Sequence, residues 1–304
     1  DCDEAIYNFN VQGGRQAAAL AFDGTNDYVT LGTSSTLQPS TALTLEAWVR
    51  SSNWSTMPTS TFAGNTEGAA GYSLSTDLGT NTITVYRNGV AGVASFSRAG
   101  MSAGFHHIAM TYDGQLTRIY LDGNLQSTND AGANYPIDYT TNSFILGAEA
   151  GAGSTPTGGY MNGQLDEVRI WNIARLCAEI RGYRSCELPG SEPGLVAYYK
   201  FNQGMANGPN ATVTTLNDAT TNAINGDLQN FSLANANGTS NWTHPGGVTT
   251  GTSCTAVTYP EANVQGGLPL TTIADGDITP STTDHTDFGL VTVNGSLART
   301  FTIF

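Results

Sequence analysis

The chain has 304 residues and a formal net charge of −14, and only 12% of its residues are charged. A surface this acidic, with Lys200 as its single lysine, offers no basic patch to neutralise phosphates, which argues against nucleic acid and anionic membranes as partners. No stretch approaches the roughly 18–20 apolar residues of a membrane span, and no long amphipathic run supports a mostly helical fold.

Taken in order, residues 20–31 read as strand, turn and strand around Asp23-Gly24-Thr25-Asn26-Asp27. Thr44–Arg50 alternates, with Leu45, Ala47 and Val49 on one face. Residues 53–71 read as a polar, Gly-rich loop. Further strands are expected at 72–74, 82–86 and 90–96, with Asn88-Gly89 as a hairpin turn. Phe105–Tyr112 and Arg118–Leu121 each run into an Asp-Gly turn, the pattern of a meander. A second Gly-rich loop occupies 147–160, and Gly163–Trp171 is a long apolar strand. One helix is expected from about Ile173 to Tyr183, capped by Asn172, with Leu176, Ile180 and Tyr183 sharing a face. Leu195–Phe201 is a further strand, and short strand-like pieces lie near Leu228 and Trp242. Residues 246–256 read as a linker before a different β-rich segment.

The four cysteines, Cys2, Cys177, Cys186 and Cys254, lack zinc-type spacing. An even count in a Lys-poor chain implies two disulfides in an oxidising compartment. Three connectivities are open; the favoured one is Cys177–Cys186 with Cys2–Cys254. The chain starts without Met and ends inside an apparent strand, and so reads as a piece of a longer mature extracellular protein.

The ordered series Phe22-Asp23-Gly24-x-x-Asp27-Tyr28-Val29, Leu45-Glu46-Ala47-Trp48-Val49, Tyr112-Asp113-Gly114, Tyr120-Leu121-Asp122-Gly123 and Leu165-Asp166-Glu167-Val168-Arg169-Ile170-Trp171 resembles the laminin-G-like, concanavalin A-like jelly-roll domains of secreted bacterial proteins. Glu192–Gly204 is similar to the version found in surface proteins of Bacteroidetes-type bacteria. The resemblance spans roughly residues 18–205. It implies an all-β, two-sheet jelly-roll sandwich with one short helix over residues 1–254. Residues 255–304 resemble the truncated start of an Ig-like β domain.

The same resemblance implies a structural calcium ion between the two acidic strands, held by Asp23, Asn26, Asp27 and Asp166. Calcium takes six to eight oxygens from carboxylates, carbonyls and water. The competing reading is that these side chains only bond the amides of their own turn. A second acidic group, Asp275, Asp277, Asp284 and Asp287, reads as loop surface. A glycosidase would need two carboxylates flanking one bond. Asp166 and Glu167 are adjacent, so strand alternation sends them to opposite faces, and Glu46 stands by itself; no enzyme is expected. Of His106 and His107, one imidazole is expected at the core edge and the other in solvent. Sugar binding would use exposed aromatics, with Trp54, Tyr72, Tyr135 and Tyr160 as candidates; Trp48, Trp171 and Trp242 go to the core. The expectation is an extracellular, cell-surface adhesion or recognition module that binds a glycan or another surface polymer, with other subunits or domains of a cell-surface assembly as further partners. Its rival is a non-binding structural spacer or protein-interaction domain.

Overall fold

The computed structural model describes residues 16–255, apart from 67–68, 89, 131, 133–134, 152–154 and 237, together with short strands at 264–266, 271–272 and 301–303. The chain divides into two compact units, Asp1–Val257 and Thr258–Phe304.

Among the described residues, the first unit has sixteen strands. The N-terminal ones are β1 (Ala19–Asp23), β2 (Tyr28–Thr30), β3 (Leu43–Ser51) and β4 (Ser60–Gly64). The middle ones are β5 (Tyr72–Asp77), β6 (Thr82–Arg87), β7 (Val90–Ser97), β8 (Gly104–Tyr112), β9 (Leu116–Leu121), β10 (Asn124–Asp130) and β11 (Ile145–Leu146). After β12 (Asn162–Trp171) and the helix α1 (Cys177–Tyr183) come β13 (Leu195–Tyr199), β14 (Thr215–Leu216), β15 (Gly226–Gln229) and β16 (Trp242–Thr243). They form two antiparallel sheets. One runs β10-β9-β8-β3-β12-β1-β16, with β13 also paired to β12; the other runs β14-β15-β2-β11-β4-β5-β6-β7.

Alternation explains why the sheets stack. Leu45, Ala47 and Val49 of β3, Ile108 and Met110 of β8, and Leu165 and Ile170 of β12 turn inward. They meet Phe62, Tyr72, Leu74, Ile83 and Val85 of the second sheet in one core. Gly147 (φ +81°) is required where the chain passes the Phe22 ring, because a Cβ there would lie 2.2 Å from that ring.

Several sequence expectations need correction. The loop expected over 53–71 contains β4, all of it buried; Ser60 and Thr61, residue types common in loops, hid the strand. The exposed edge strand β10 and the two-residue β11 also escaped notice. The helix begins at Cys177, not Ile173, because Thr44 holds the preceding residues extended: its hydroxyl donates to the Ile173 carbonyl and accepts from the Arg175 amide. Leu176 is consequently the N-cap and is exposed, while Ile180 is buried.

Residues 246–255 are no linker. Gly247 and Val248 donate backbone N–H groups to Asp166, and the Glu187 carbonyl accepts from the Cys254 amide. Cys254 is disulfide-bonded to Cys186, with Cα atoms 5.0 Å apart. The favoured Cys177–Cys186 and Cys2–Cys254 pairings are therefore wrong; Cys177 bonds no described cysteine, and Cys2 lies outside the described residues. A helix separates Cys177 from Cys186, whereas the returning tail brings Cys254 alongside.

The second unit shows three short strands, β17 (Val264–Gly266), β18 (Thr271–Thr272) and β19 (Phe301–Ile303), in one antiparallel sheet. Asp275, Asp277, Asp284 and Asp287, and with them most of the expected Ig-like segment, fall outside the described residues.

Candidate functional site

β1 and β12 do pair, as the resemblance implies, but the register separates the expected calcium ligands. Asp23 stands opposite Asn162, and Leu20 opposite Leu165. Asp166 lies four residues beyond Asn162, roughly 13 Å along the strand at about 3.3 Å per residue. Its carboxylate accepts from Gly247 and Val248 instead, at 2.8 and 3.1 Å. Asp166 thus does not join the turn of Asp23, Asn26 and Asp27.

Within that turn, Asp23 accepts from the Thr25 amide at 2.8 Å and Asp27 from the Asp23 amide at 2.9 Å. The Asn26 carbonyl accepts from Asn230, and its side chain is exposed. These bonds match the turn-internal reading, with one exception. Asp27 is 1% exposed and its Oδ1 has no hydrogen-bond partner. Burial pushes the Asp27 carboxyl up to about 6, against the lowering effect of the Asp23 amide and Ser240. An orphaned, buried carboxylate oxygen fits a cation better than it fits a dry turn. Among the described residues, however, no three His, Cys, Asp or Glu side chains group as a metal site. Any ion here would depend on carbonyls, Asn26 and water as well.

The outer face of the first sheet departs from simple alternation. Between Asp166 and Arg169 the ladder to β3 shifts register, and Glu167 adopts φ +52°. This bulge sends Asp166 and Glu167 to the same side, contrary to the expectation of opposite faces. Both are 1% exposed. Glu167 accepts from Arg169 at 2.6 Å and from the Tyr198 hydroxyl at 2.5 Å. Arg169 also donates to the Tyr183 and Cys186 carbonyls and lies 3.8 Å from Glu46. Burial raises the Asp166 and Glu167 carboxyls; their mutual repulsion adds to this at Asp166, and Arg169 opposes it at Glu167. Burial would raise Glu46 too, but the His107 hydrogen bond and the Arg169 charge bring it to about 2. His107, 1% exposed, sits 3.2 Å from Glu46. His106, at the rim, sits 2.8 Å from Asp122.

The aromatic candidates do not converge. Trp54 and Tyr72 are 1% and 0% exposed and belong to the core, where Trp54 packs edge-on against Phe62 and Tyr72 donates its hydroxyl to the Leu37 carbonyl. Both follow loop-like sequence, which concealed their inward orientation. Tyr160 is half-buried against the Ile145–Ala150 cluster. Tyr135 is exposed, with the Arg87 guanidinium 5.0 Å from its ring. Its amide bonds Gly114, at the end of β8 remote from Arg50. Trp171 and Trp242 are buried as expected, whereas Trp48 is half-buried on the outer face, under Gly247.

What the fold does assemble is a depression of about 250 Å³ on that outer face, beside the Asp23 turn. Asp23, Arg50, Ser52, Asn162, Gln164 and Thr239 line it. Arg50 faces Gln164 across β3 and β12, and Asn162 faces Asp23 across β12 and β1. The neighbouring Val49, Leu165 and Phe22 point into the core, so these four point out. Sequence reasoning passed over Arg50 and Gln164; their outward positions were legible, but their pairing was not.

A family model described as the concanavalin A-like lectin/glucanases superfamily (Laminin_G_3) matches residues 23–181, just over half the chain. Among solved structures, a candidate carbohydrate-binding protein from Bacteroides ovatus is similar, with 22% identity and a TM-score of 0.55. That match covers 71% of this chain and 58% of the Bacteroides protein, so the chain spans less than two thirds of its length. A heptameric pentraxin from Limulus polyphemus is 14% identical, with a TM-score of 0.41 over 57% of this chain and 83% of that one. Domains LG4-5 of the mouse laminin alpha1 chain are 12% identical, with a TM-score of 0.38 over 52% and 41%. No curated protein sequence matches the chain.

Proposed function

Since the chain belongs to the concanavalin A-like lectin/glucanase superfamily, we propose that it is a carbohydrate-recognising module of an extracellular, cell-surface protein. The observation that carries this reading is the depression beside Asp23, where one guanidinium, one carboxylate, two amides and two hydroxyls converge on a space of about 250 Å³. Sugar hydroxyls both donate and accept, and a mixed lining of this kind can satisfy them. The candidate carbohydrate-binding role of the Bacteroides ovatus protein is in keeping with it. The Cys186–Cys254 bond favours an oxidising, extracytoplasmic setting.

The module is read as non-catalytic. What supports this is the enclosure of Glu46, Asp166 and Glu167, none more than 3% exposed, beneath the 183–188 and 246–248 segments. A glycosidic bond needs its two carboxylates in an open cleft. Calcium is proposed as a stiffener of the Asp23 turn, held by Asp23, Asn26 and Asp27 but not Asp166. It would supply positive charge to the unpartnered Asp27 oxygen.

A glycan array probed with calcium, and again with chelator, tests the reading. Binding to a defined set of glycans is the expected result. Uniform silence in both conditions would favour the spacer role instead.

A further inference from the structure

We propose that the depression beside Asp23 is a subsite for a single neutral pyranose unit, read by Arg50 and Gln164. This deepens the carbohydrate reading above and rests on it.

The argument starts from two unmet hydrogen-bonding groups on one cross-strand pair. Arg50 and Gln164 are direct partners in the β3–β12 ladder, so their side chains stand side by side. Gln164 Oε1 is buried and has no donor. Among the described residues, Arg50 is the arginine whose guanidinium has no hydrogen bond, ion pair or ring contact within the protein. The others are engaged: Arg87 with Thr117, Arg98 with Asn81, Arg118 with Asp113, Arg169 with Glu167, Arg175 with Glu179, Arg181 with Asn124, and Arg184 with the Arg181 carbonyl. A buried acceptor without a donor is costly, and so is a guanidinium half-withdrawn from water.

An occupant that repairs both must bring a donor to Gln164 and an acceptor to Arg50 within a few ångströms. Vicinal hydroxyls do this. A carboxylate, sulfate or phosphate satisfies Arg50 but meets Gln164 as acceptor against acceptor, and it also faces the Asp23 carboxylate. The lining carries one positive and one negative side chain, which cancel, and the chain as a whole carries −14. Its field therefore repels anionic glycans. Size points the same way. About 250 Å³ lies just under the usual range for pockets that take drug-sized ligands, enough for one ring and too little for a chain of them. Phe22 lines the floor, but its ring is 2% exposed and packs edge-on against Phe231, so hydrogen bonds rather than stacking must hold the sugar.

The test uses the full 304-residue chain and ligand-observed NMR. The probes are the methyl pyranosides of glucose, galactose and mannose, with methyl glucuronide and methyl galacturonide. At least one neutral glycoside should bind, and its uronide counterpart at least tenfold more weakly. Arg50→Ala and Gln164→Leu should each weaken the neutral ligand about tenfold, about 1.4 kcal/mol. Both side chains sit on the outer face, so unchanged thermal melting would certify the fold. Arg50→Lys keeps the charge without the fork and should fall between.

A uronide that binds as well as its neutral parent overturns the assignment while carbohydrate recognition stands. So does neutral-sugar binding indifferent to both variants, which would move the site elsewhere. Silence of every monosaccharide beside a positive glycan array overturns the single-unit subsite. Silence of both removes the subsite and the carbohydrate reading together.

Discussion

Arg169→Met offers the sharpest probe of how the outer face of the first sheet is held. Arg169 is 1% exposed and its guanidinium engages Glu167 at 2.6 Å, the Cys186 carbonyl at 2.5 Å and the Tyr183 carbonyl at 2.9 Å, with Glu46 at 3.8 Å. Methionine fills similar volume but cancels none of this charge. Glu46 keeps His107 and the Trp171 indole N–H as donors. Glu167 keeps only the Tyr198 hydroxyl, and two carbonyls lose their donor. Breaking a buried ion pair from one side costs about 3–5 kcal/mol, because the surviving charge has no counterpart. We therefore expect Arg169→Met to lower the unfolding free energy by about 4 kcal/mol in urea melts, with an unchanged m-value. Adding Glu167→Gln removes the stranded charge and should return about half of the loss, leaving the cost of the carbonyls. A loss below about 1 kcal/mol for the single variant, or no recovery in the double, would refute a load carried by this guanidinium.

Three further outcomes follow from the structure. The Cys186–Cys254 bond closes a loop with a sequence separation of 68, so Cys254→Ser should cost about 4 kcal/mol by loop entropy, and non-reducing peptide mapping should recover this pair rather than Cys177–Cys186. Millimolar calcium should raise the melting temperature of the native chain and of Asp166→Asn but not of Asp27→Asn, by an amount equivalent to about 2.7 kcal/mol at a hundredfold excess over Kd; a calcium response lost in Asp166→Asn would restore the ligand set read from sequence. His106 is raised above its usual 6.5 chiefly by the Asp122 hydrogen bond, and Asp122 is lowered below 3.8 because His106 and the His107 amide outweigh burial. The pair therefore adds stability from near pH 4 up to 6.5, losing it on the acid side as pH falls through the folded Asp122 value and on the basic side as pH rises through the folded His106 value. Asp122→Asn should cost about 0.5–1 kcal/mol at pH 5.5 and progressively less well above pH 7, since the pair is partly solvated; a pH-independent cost would contradict the pairing.

The fold was legible wherever alternation and turn chemistry agreed. Leu45, Ala47 and Val49 all face the core, and the Asp-Gly turns at 113–114 and 122–123 fall where β8, β9 and β10 reverse. Period two failed at Glu167, because a bulge inserts one residue and nothing in the residue types announces it. It failed at β4 because Ser60 and Thr61 resemble loop residues although they are buried. The candidate site was less legible still. Asp23 and Asp27 were found as a local turn, which sequence can show. Asp166 was assigned to it wrongly, since the register that moves it roughly 13 Å away is a property of pairing, not of either strand. Arg50 and Gln164 lie 114 positions apart, and only the ladder reveals them as neighbours.

These errors share a cause that also bears on function. The family resemblance directs attention to the acidic strand at 165–171, yet the chain spends those carboxylates on closing its own outer face. Asp166 anchors the returning tail, Glu167 and Glu46 neutralise Arg169, and Arg169 in turn fastens the segment that carries Cys186. Past the end of the seal, Arg50, Gln164, Asn162 and Asp23 line an open depression. The same strand β12 contributes to both regions, which divide between Gln164 and Asp166. A rigid scaffold that presents unmet donors and acceptors at its rim suits selective recognition of a small polar unit. Loosening the seal should therefore weaken binding at the rim without touching it, and Arg169→Met, measured for glycoside affinity below its melting transition, would reveal whether the two halves of β12 are coupled.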